Sequence, residues 1–279
     1  MKLLYLGTAA AEGIPGTFCS CAVCQEAIEK KGRHIRTRSQ ALVDGKIVID
    51  YPPDSYSHYI RSGFTAPNLP VMRHLFVTHS HMDHFYPDDL HDRRPGMVAS
   101  KPVETLHIYG NRAVERKLLD LQESTKTMPS NEFHYAKPFE PIEAEGYRVT
   151  PLPARHNPNE ECLFYTVEHG GKALLYGQDT GIFPEPVWEY FASAKPRFNL
   201  VSLDCTTMAR KDTGGRHMGI PDCLEVREKL FAMGAADAKT VFILNHFSHN
   251  GRLLYDELQK AAEAEGFTAA YDGLEVEVP

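Results

Sequence analysis

His79-Ser80-His81-Met82-Asp83-His84 puts four metal-competent side chains into six positions, directly after the apolar run Leu75-Phe76-Val77. That order reads as a buried strand delivering polar ligands at its end. In an extended segment residues two apart point the same way, so His79 and His81 can share one cation while Asp83 and His84, past the bend, face a second. Three further donors stand at or just after strand-like segments: His156 after 147–152, Asp179 after 173–176 and His246 after 241–244. Turns at those places can aim them at a common point. A lone histidine is usually a hydrogen-bonded core or surface residue, but a six-residue motif with ordered distant partners favours metal.

The whole set resembles the metallo-β-lactamase superfamily, whose pattern H-x-H-x-D-H, then H, D and H at long intervals, is matched by His79, His81, Asp83, His84, His156, Asp179 and His246. The resemblance covers nearly the entire chain. The first strand with its glycine turn (3–7, then Gly13-Ile14-Pro15) also looks like the start of that family's nucleic-acid-processing and phosphodiesterase branch. It implies a four-layer αββα sandwich, with His79, His81 and His156 on one metal, Asp83, His84 and His246 on the other, and Asp179 bridging, since a carboxylate has two oxygens to divide. Two cations about 3.5 Å apart can hold a hydroxide, lower the pKa of bound water and stabilise charge on an attacked phosphoryl or carbonyl group. Such donors accept Zn²⁺, Mn²⁺ or Fe²⁺; the resemblance points to Zn²⁺ or Mn²⁺. Asp83 and His217 are the residues assigned to catalysis. His217, in Gly214-Gly215-Arg216-His217-Met218-Gly219, looks like the mobile-loop histidine of the phosphodiesterase and tRNA-processing branches, which binds the scissile phosphate or protonates the leaving oxygen. An exposed loop histidine is the competing reading.

Three of six cysteines crowd into Cys19-Ser20-Cys21-Ala22-Val23-Cys24. Thiolates at C-x-C-x-x-C spacing can wrap a tetrahedral zinc with one further ligand. His249, three residues after His246, is the candidate fourth, a combination carried by PhnP-like phosphodiesterases. This structural zinc is preferred over a redox thiol set or three small buried side chains. Cys162, Cys205 and Cys223 read as core residues.

The 279 residues can bury one large core, and a single domain over 1–279 is expected, with the zinc knuckle at 19–24. Composition, 42% hydrophobic and 24% charged, is that of a soluble globular chain, with no membrane-spanning run. The N-terminus reads as a strand rather than a signal peptide, so a cytoplasmic location is expected. A net charge of −7 argues against long nucleic acids as partners. Arg33, His34, Arg36 and Arg38 form a short basic stretch, read first as a solvated turn. A homodimer is compatible with such a fold, with no interface marked by the apolar pattern.

Strand-like runs fall at 2–7, 41–43, 46–50, 74–78, 105–109, 147–152, 162–167, 172–176, 199–204, 240–244, 267–271 and 274–278. Helical patterns fall at 22–31, 111–122, 185–192, 222–233 and 251–265, with a short helix at 54–61. This alternation fits two sheets flanked by helices. Asp44-Gly45 and Asp272-Gly273 are hairpin signals, and no internal repeat is visible. Between 51 and 70 the family's usual glycine turn is replaced by Tyr51-Pro52-Pro53, and Tyr51, Tyr56, Tyr59 and Phe64 could line the site's mouth or cover the core.

The function expected is hydrolysis of a small or cyclic phosphate diester by a dinuclear site, with metal-bound hydroxide as nucleophile and His217 assisting the leaving alcohol. Alternatives are a tRNA 3′-processing-like nuclease, which usually brings a long basic arm not found here, and a non-hydrolytic role like that of the cofactor-biosynthesis protein PqqB, which has a similar cysteine knuckle.

Overall fold

The strands follow from period-two alternation. In β1 (Lys2–Gly7) Leu3 and Tyr5 face one way and Leu4 and Leu6 the other, and in β4 (His74–Phe76) Leu75 opposes Phe76. Both faces are apolar because both are covered. The computed structural model describes residues 1–62, 72–94, 96–97, 104–126 and 130–279.

One sheet adds β2 (Gln40–Val43), β3 (Ile47–Ile49), β5 (Leu106–Gly110), β6 (Asn131–Tyr135) and β14 (Glu275–Glu277), in the order β14-β1-β2-β3-β4-β5-β6. The other holds β7 (Ile142–Ala144), β8 (Tyr147–Pro153), β9 (Leu163–His169), β10 (Lys172–Gly177), β11 (Leu200–Asp204), β12 (Val241–Asn245) and β13 (Thr268–Ala269), in the order β13-β12-β11-β10-β9-β8-β7. From β14 to β3 and from β7 to β10 the pairing is antiparallel; from β3 to β6 and from β10 to β13 it is parallel. The two halves thus share one topology that no sequence repeat announces.

Tyr5, Ala41, Val43 and Phe76 meet Val149, Tyr165, Leu174 and Tyr176 between the sheets. The outer face of the second sheet is covered by α1 (Ala22–Lys30), α4 (Glu185–Ala194), α5 (Ile220–Ala232) and α6 (Tyr255–Ala264), through residues such as Ala27, Trp188, Val226 and Leu258. The outer face of the first takes Val114 and Leu118 of α3 (Arg112–Thr125). The result is the expected α/β sandwich, helices on both outer faces of two sheets. Each fully buried Leu, Val or Phe contributes about 1.5–3 kcal/mol.

Several expectations change. Asp44-Gly45 does turn the chain from β2 to β3, both residues at positive φ. Asp272-Gly273 does not make a hairpin: β13 and β14 lie in different sheets, and the Asp272 carboxylate accepts from Thr8 Oγ1 and Thr37 N, each at 2.7 Å, as the chain crosses over. The last helix starts at Tyr255 rather than 251, because 249–251 is a 3-10 turn ended by Arg252 in the left-handed region. In the basic stretch Arg36 is buried, not solvated; it donates to Thr8 Oγ1 and Ala270 O, and burial pulls its pKa down to about 10. The short helix α2 runs Ser55–Arg61; Tyr51 and Tyr59 pack on the core, Tyr56 is exposed, and Phe64 lies outside the described residues.

Candidate metal centres

Strand ends converge on one cleft. Asp50 follows β3, the His79–His84 motif follows β4, Asp204 ends β11 and His246 follows β12, so parallel strands from both sheets present their C-terminal ends together. Asp50, Asp179 and His246 sit at φ values of 67°, 48° and 62°. Asp and His tolerate this left-handed region better than most residues, and at about 1–3 kcal/mol each such strain is held where geometry matters. The motif itself is a turn, with His84 N and Phe85 N donating to His81 O. Glu160 anchors it by accepting from Ser80 N at 2.6 Å and Asn111 Nδ2 at 2.8 Å.

Three overlapping donor groups form in the cleft, each with its ligand atoms within 4.8 Å of one another: His79, His81, His156 and Asp179; Asp83, His84, Asp179 and His246; and Asp179, Asp204, His217 and His246. Asp179 belongs to all three. Its Oδ2 lies 3.2 Å from His79 Nε2 and 3.2 Å from His84 Nε2, and its Oδ1 lies 3.2 Å from His156 Nδ1. His84 Nε2 and His246 Nε2 stand 3.2 Å apart. His79 Nε2, His156 Nδ1 and Asp179 Oδ1 are nevertheless buried without a hydrogen bond. Atoms this close that do not bond to one another are aimed at shared space, as ligands around a cation are. Asp50, Asp83, Asp179 and Asp204 are also buried there, and carboxylates so buried call for cationic or hydrogen-bonding partners.

Outer partners fix the rings. Asp50 accepts from His84 Nδ1 at 2.7 Å, Thr206 Oγ1 lies 2.9 Å from His246 Nδ1, and Thr78 Oγ1 lies 3.0 Å from His79 Nδ1. Each leaves Nε2 free for the cleft. Burial alone would pull His84 down, but Asp83, Asp50 and Asp179 outweigh it and hold the ring well above the ordinary imidazole range. Burial likewise opposes Asp179's charge, yet His246 and its neighbours hold the carboxyl well below its usual range. His156, less compensated, is pushed by burial to about 4. His217 Nδ1 lies 3.1 Å from Asp179 Oδ1 and 3.4 Å from Asp204 Oδ2, and these carboxylates overcome burial to raise it to about 11. Asp50, Asp204, Thr206 and Glu160 were not picked out from the sequence; a carboxylate or hydroxyl at a strand end carries no local mark of the ring it will orient.

The cysteines and His249 form a further group with donor atoms within 4.8 Å of one another. His249 Nδ1 lies 3.4 Å from both Cys19 Sγ and Cys21 Sγ, while Cys24 Sγ accepts from Gly16 N at 3.3 Å. Cys21 caps the N-terminus of α1, and the hydrogen bond from His249 brings its thiol down to about 6, whereas burial pushes Cys24 up to about 12. Three sulfurs and one imidazole suit a closed tetrahedral zinc. Cys162, Cys205 and Cys223 are buried in the core.

Fold and donor sets together define an α/β sandwich with a His/Asp cluster able to hold metal ions at the mouth between its sheets. The chain belongs to the metallo-β-lactamase superfamily: the family model described as the beta-lactamase superfamily domain matches residues 46–247. A diphosphatase of the PhnP family is similar in structure, with TM-score 0.73 and 25% identity, covering 99% of this chain and 97% of that one. Zn²⁺-bound PqqB from Methylobacterium extorquens aligns at TM-score 0.75 and 18% identity, covering 99% and 100%. The short form of human tRNase Z aligns at TM-score 0.61 and 15% identity over 100% of both chains. No curated protein matches the chain by sequence. Among the described residues no helix is long and apolar enough to cross a membrane.

Proposed function

We propose that this chain is a metal-dependent hydrolase of small phosphate diesters, cyclic ones included, with two cations on the His/Asp cluster and a structural zinc on Cys19, Cys21, Cys24 and His249. The observation that carries the reading is His217, an imidazole facing the bridging Asp179 from the wall of the cleft. Bound divalent cations there would supply Lewis acidity and a water of lowered pKa. Asp204 orients the His217 ring through Nδ1, leaving the other nitrogen to hold a phosphoryl oxygen or give a proton to the departing alkoxide. His79, His81, His156, Asp83, His84 and His246 would hold the cations, together with Asp179, which lies within reach of both donor sets.

Size and charge narrow the substrate. The cleft, of about 250 Å³ and lined by Glu12, His81, Asp83, His217 and Asn250 among others, lies below the roughly 300–1,000 Å³ of drug-sized sites. The net charge of −7 is poorly suited to a long nucleic acid. The likeness to a diphosphatase supports phosphoryl chemistry.

The test is turnover of bis(p-nitrophenyl) phosphate and of a 2′,3′- or 1,2-cyclic ribose phosphate by chain loaded with Mn²⁺ or Zn²⁺, with Asp179→Asn as control. Hydrolysis of the cyclic diester, lost in the variant while the cysteine-bound metal stays, is the expected result. Fully loaded chain that leaves diesters intact would discard the proposal in favour of thioesters, lactones or a non-hydrolytic role.

A further inference from the structure

Away from the cleft, strands β5 and β6 carry a second constellation of donors. In their parallel register His107 pairs with Glu132 and Tyr109 with His134, so all four side chains stand on one face of the sheet. His107 Nδ1 lies 3.0 Å from His134 Nε2 and 3.6 Å from Glu132 Oε2, and His134 Nε2 lies 3.8 Å from Glu132 Oε1. Donors about 2.1 Å from a tetrahedral cation sit about 3.4 Å from one another, and the three separations bracket that value.

The rings are held in place before any ligand arrives. His134 stacks on Tyr109 at 4.9 Å and Tyr109 on Phe76 at 4.4 Å, making one row of rings across β6, β5 and β4. His74 and His107 stack at 5.4 Å in the row below. Such packing fixes rotamers, the condition for a preorganised site. Phe76 and Tyr109 belong to the core between the sheets, while the His107 and His134 side chains, 33% and 34% exposed, lie where that cover ends. A face that is otherwise apolar turns into imidazole and carboxylate at its open flank.

We propose that His107, Glu132 and His134 form a peripheral site for a first-row divalent cation that pins β6 to β5. Two imidazole nitrogens and one carboxylate oxygen favour Zn²⁺, Co²⁺, Ni²⁺ or Cu²⁺ over Mg²⁺ or Ca²⁺. Among the described residues β6 is the outer strand of its sheet, and none of its five residues is fully buried; Phe133, partly buried, packs on the core from the opposite face. A cation shared with β5 would supply an anchor and blunt an exposed edge.

The experiment starts from chain whose cleft and cysteine sites are already filled with Zn²⁺ and freed of excess metal. Titration with Zn²⁺ or Co²⁺ by calorimetry, with elemental analysis after dialysis, is expected to show one further equivalent per chain and a rise in Tm. His134→Gln should lose that equivalent and the rise in Tm, keeping diester turnover and the metals already bound. Glu132→Gln, a change at an exposed side chain, should weaken the further equivalent by more than about tenfold, since loss of even an outer partner of a ligand costs 10–100-fold. A wild-type chain that takes up nothing more, the two imidazoles sharing only a proton, would overturn the site. So would a further equivalent that both variants retain.

Discussion

Asp50 Oδ2 lies 2.7 Å from His84 Nδ1, and solvent reaches neither side chain. The other carboxylate oxygen accepts from Thr78 N at 2.8 Å and Thr78 Oγ1 at 2.9 Å. One residue at the end of β3 therefore fixes both the backbone that launches the His79–His84 motif and the ring at the motif's end. Asp50→Ala should leave these donors unpaired, costing about 1–3 kcal/mol for each one stranded, and weaken binding in the Asp83, His84, Asp179 and His246 group by about 10–100-fold. Chelator competition reads the affinity. Unchanged affinity would mean that His84 is oriented by packing alone.

His217 differs from the other cleft histidines in its position: it stands on the loop before α5, and its side chain is 28% exposed, where His81 is the more open to solvent. If it handles the leaving group, His217→Ala should lower kcat by about 10²–10⁴-fold with both cleft metals retained. Elemental analysis separates this from the rival outcome, in which metal falls with activity and His217 is a ligand.

The cysteine group is tied to the cleft through Glu12, which lines it and whose Oε1 lies 3.4 Å from His249 Nε2 and accepts from Ser248 Oγ. Cys21→Ser should release the structural metal and, like opening a crosslink, cost about 2–4 kcal/mol, lowering Tm by roughly 5–15 °C. Turnover below the new Tm should fall less than in Asp179→Asn. Loss of turnover with zinc retained would instead give Cys21 a part in the chemistry.

Much of this site is legible in the sequence because its chemistry is locally dense: four donors sit within six residues, three sulfurs within another six, and His156, Asp179 and His246 follow apolar runs. Structural support is harder to see. Asp50 and Asp204 look like any acidic residue at a strand end until His84 and His246 arrive from elsewhere in the chain. Strands β6 and β7 escaped notice because they are short outer strands: β6 has no fully buried residue, and β7 is only three residues long, too few for its alternation to stand out. Asp272-Gly273 has hairpin chemistry, yet β1 takes β14 as its partner and β12 takes β13. Pairing between distant strands decided that turn, and local propensity carries no information about it.

His58 gives a pH signature that involves no metal. Its ring is buried, with Nδ1 2.7 Å from Gln40 Oε1 and Nε2 2.7 Å from Thr37 Oγ1. Burial holds its pKa at about 4 against the ordinary 6.5; Asp54 pulls upward and Arg61 adds to the depression. Above the ordinary value both folded and unfolded chains carry neutral His58, so its contribution is fully present. As pH falls from 6.5 towards 4, the unfolded chain takes up a proton that the folded chain refuses, and stability drops by about 1.4 kcal/mol per pH unit, about 3 kcal/mol in all. Asp272, reached through Thr37, is raised by burial and works in the opposite sense, so the comparison must be between chains that both keep it. His58→Asn should be less stable than wild type at pH 7 and lose less on acidification to pH 4.5, the two denaturation curves converging. Curves that stay parallel would place the acid sensitivity elsewhere.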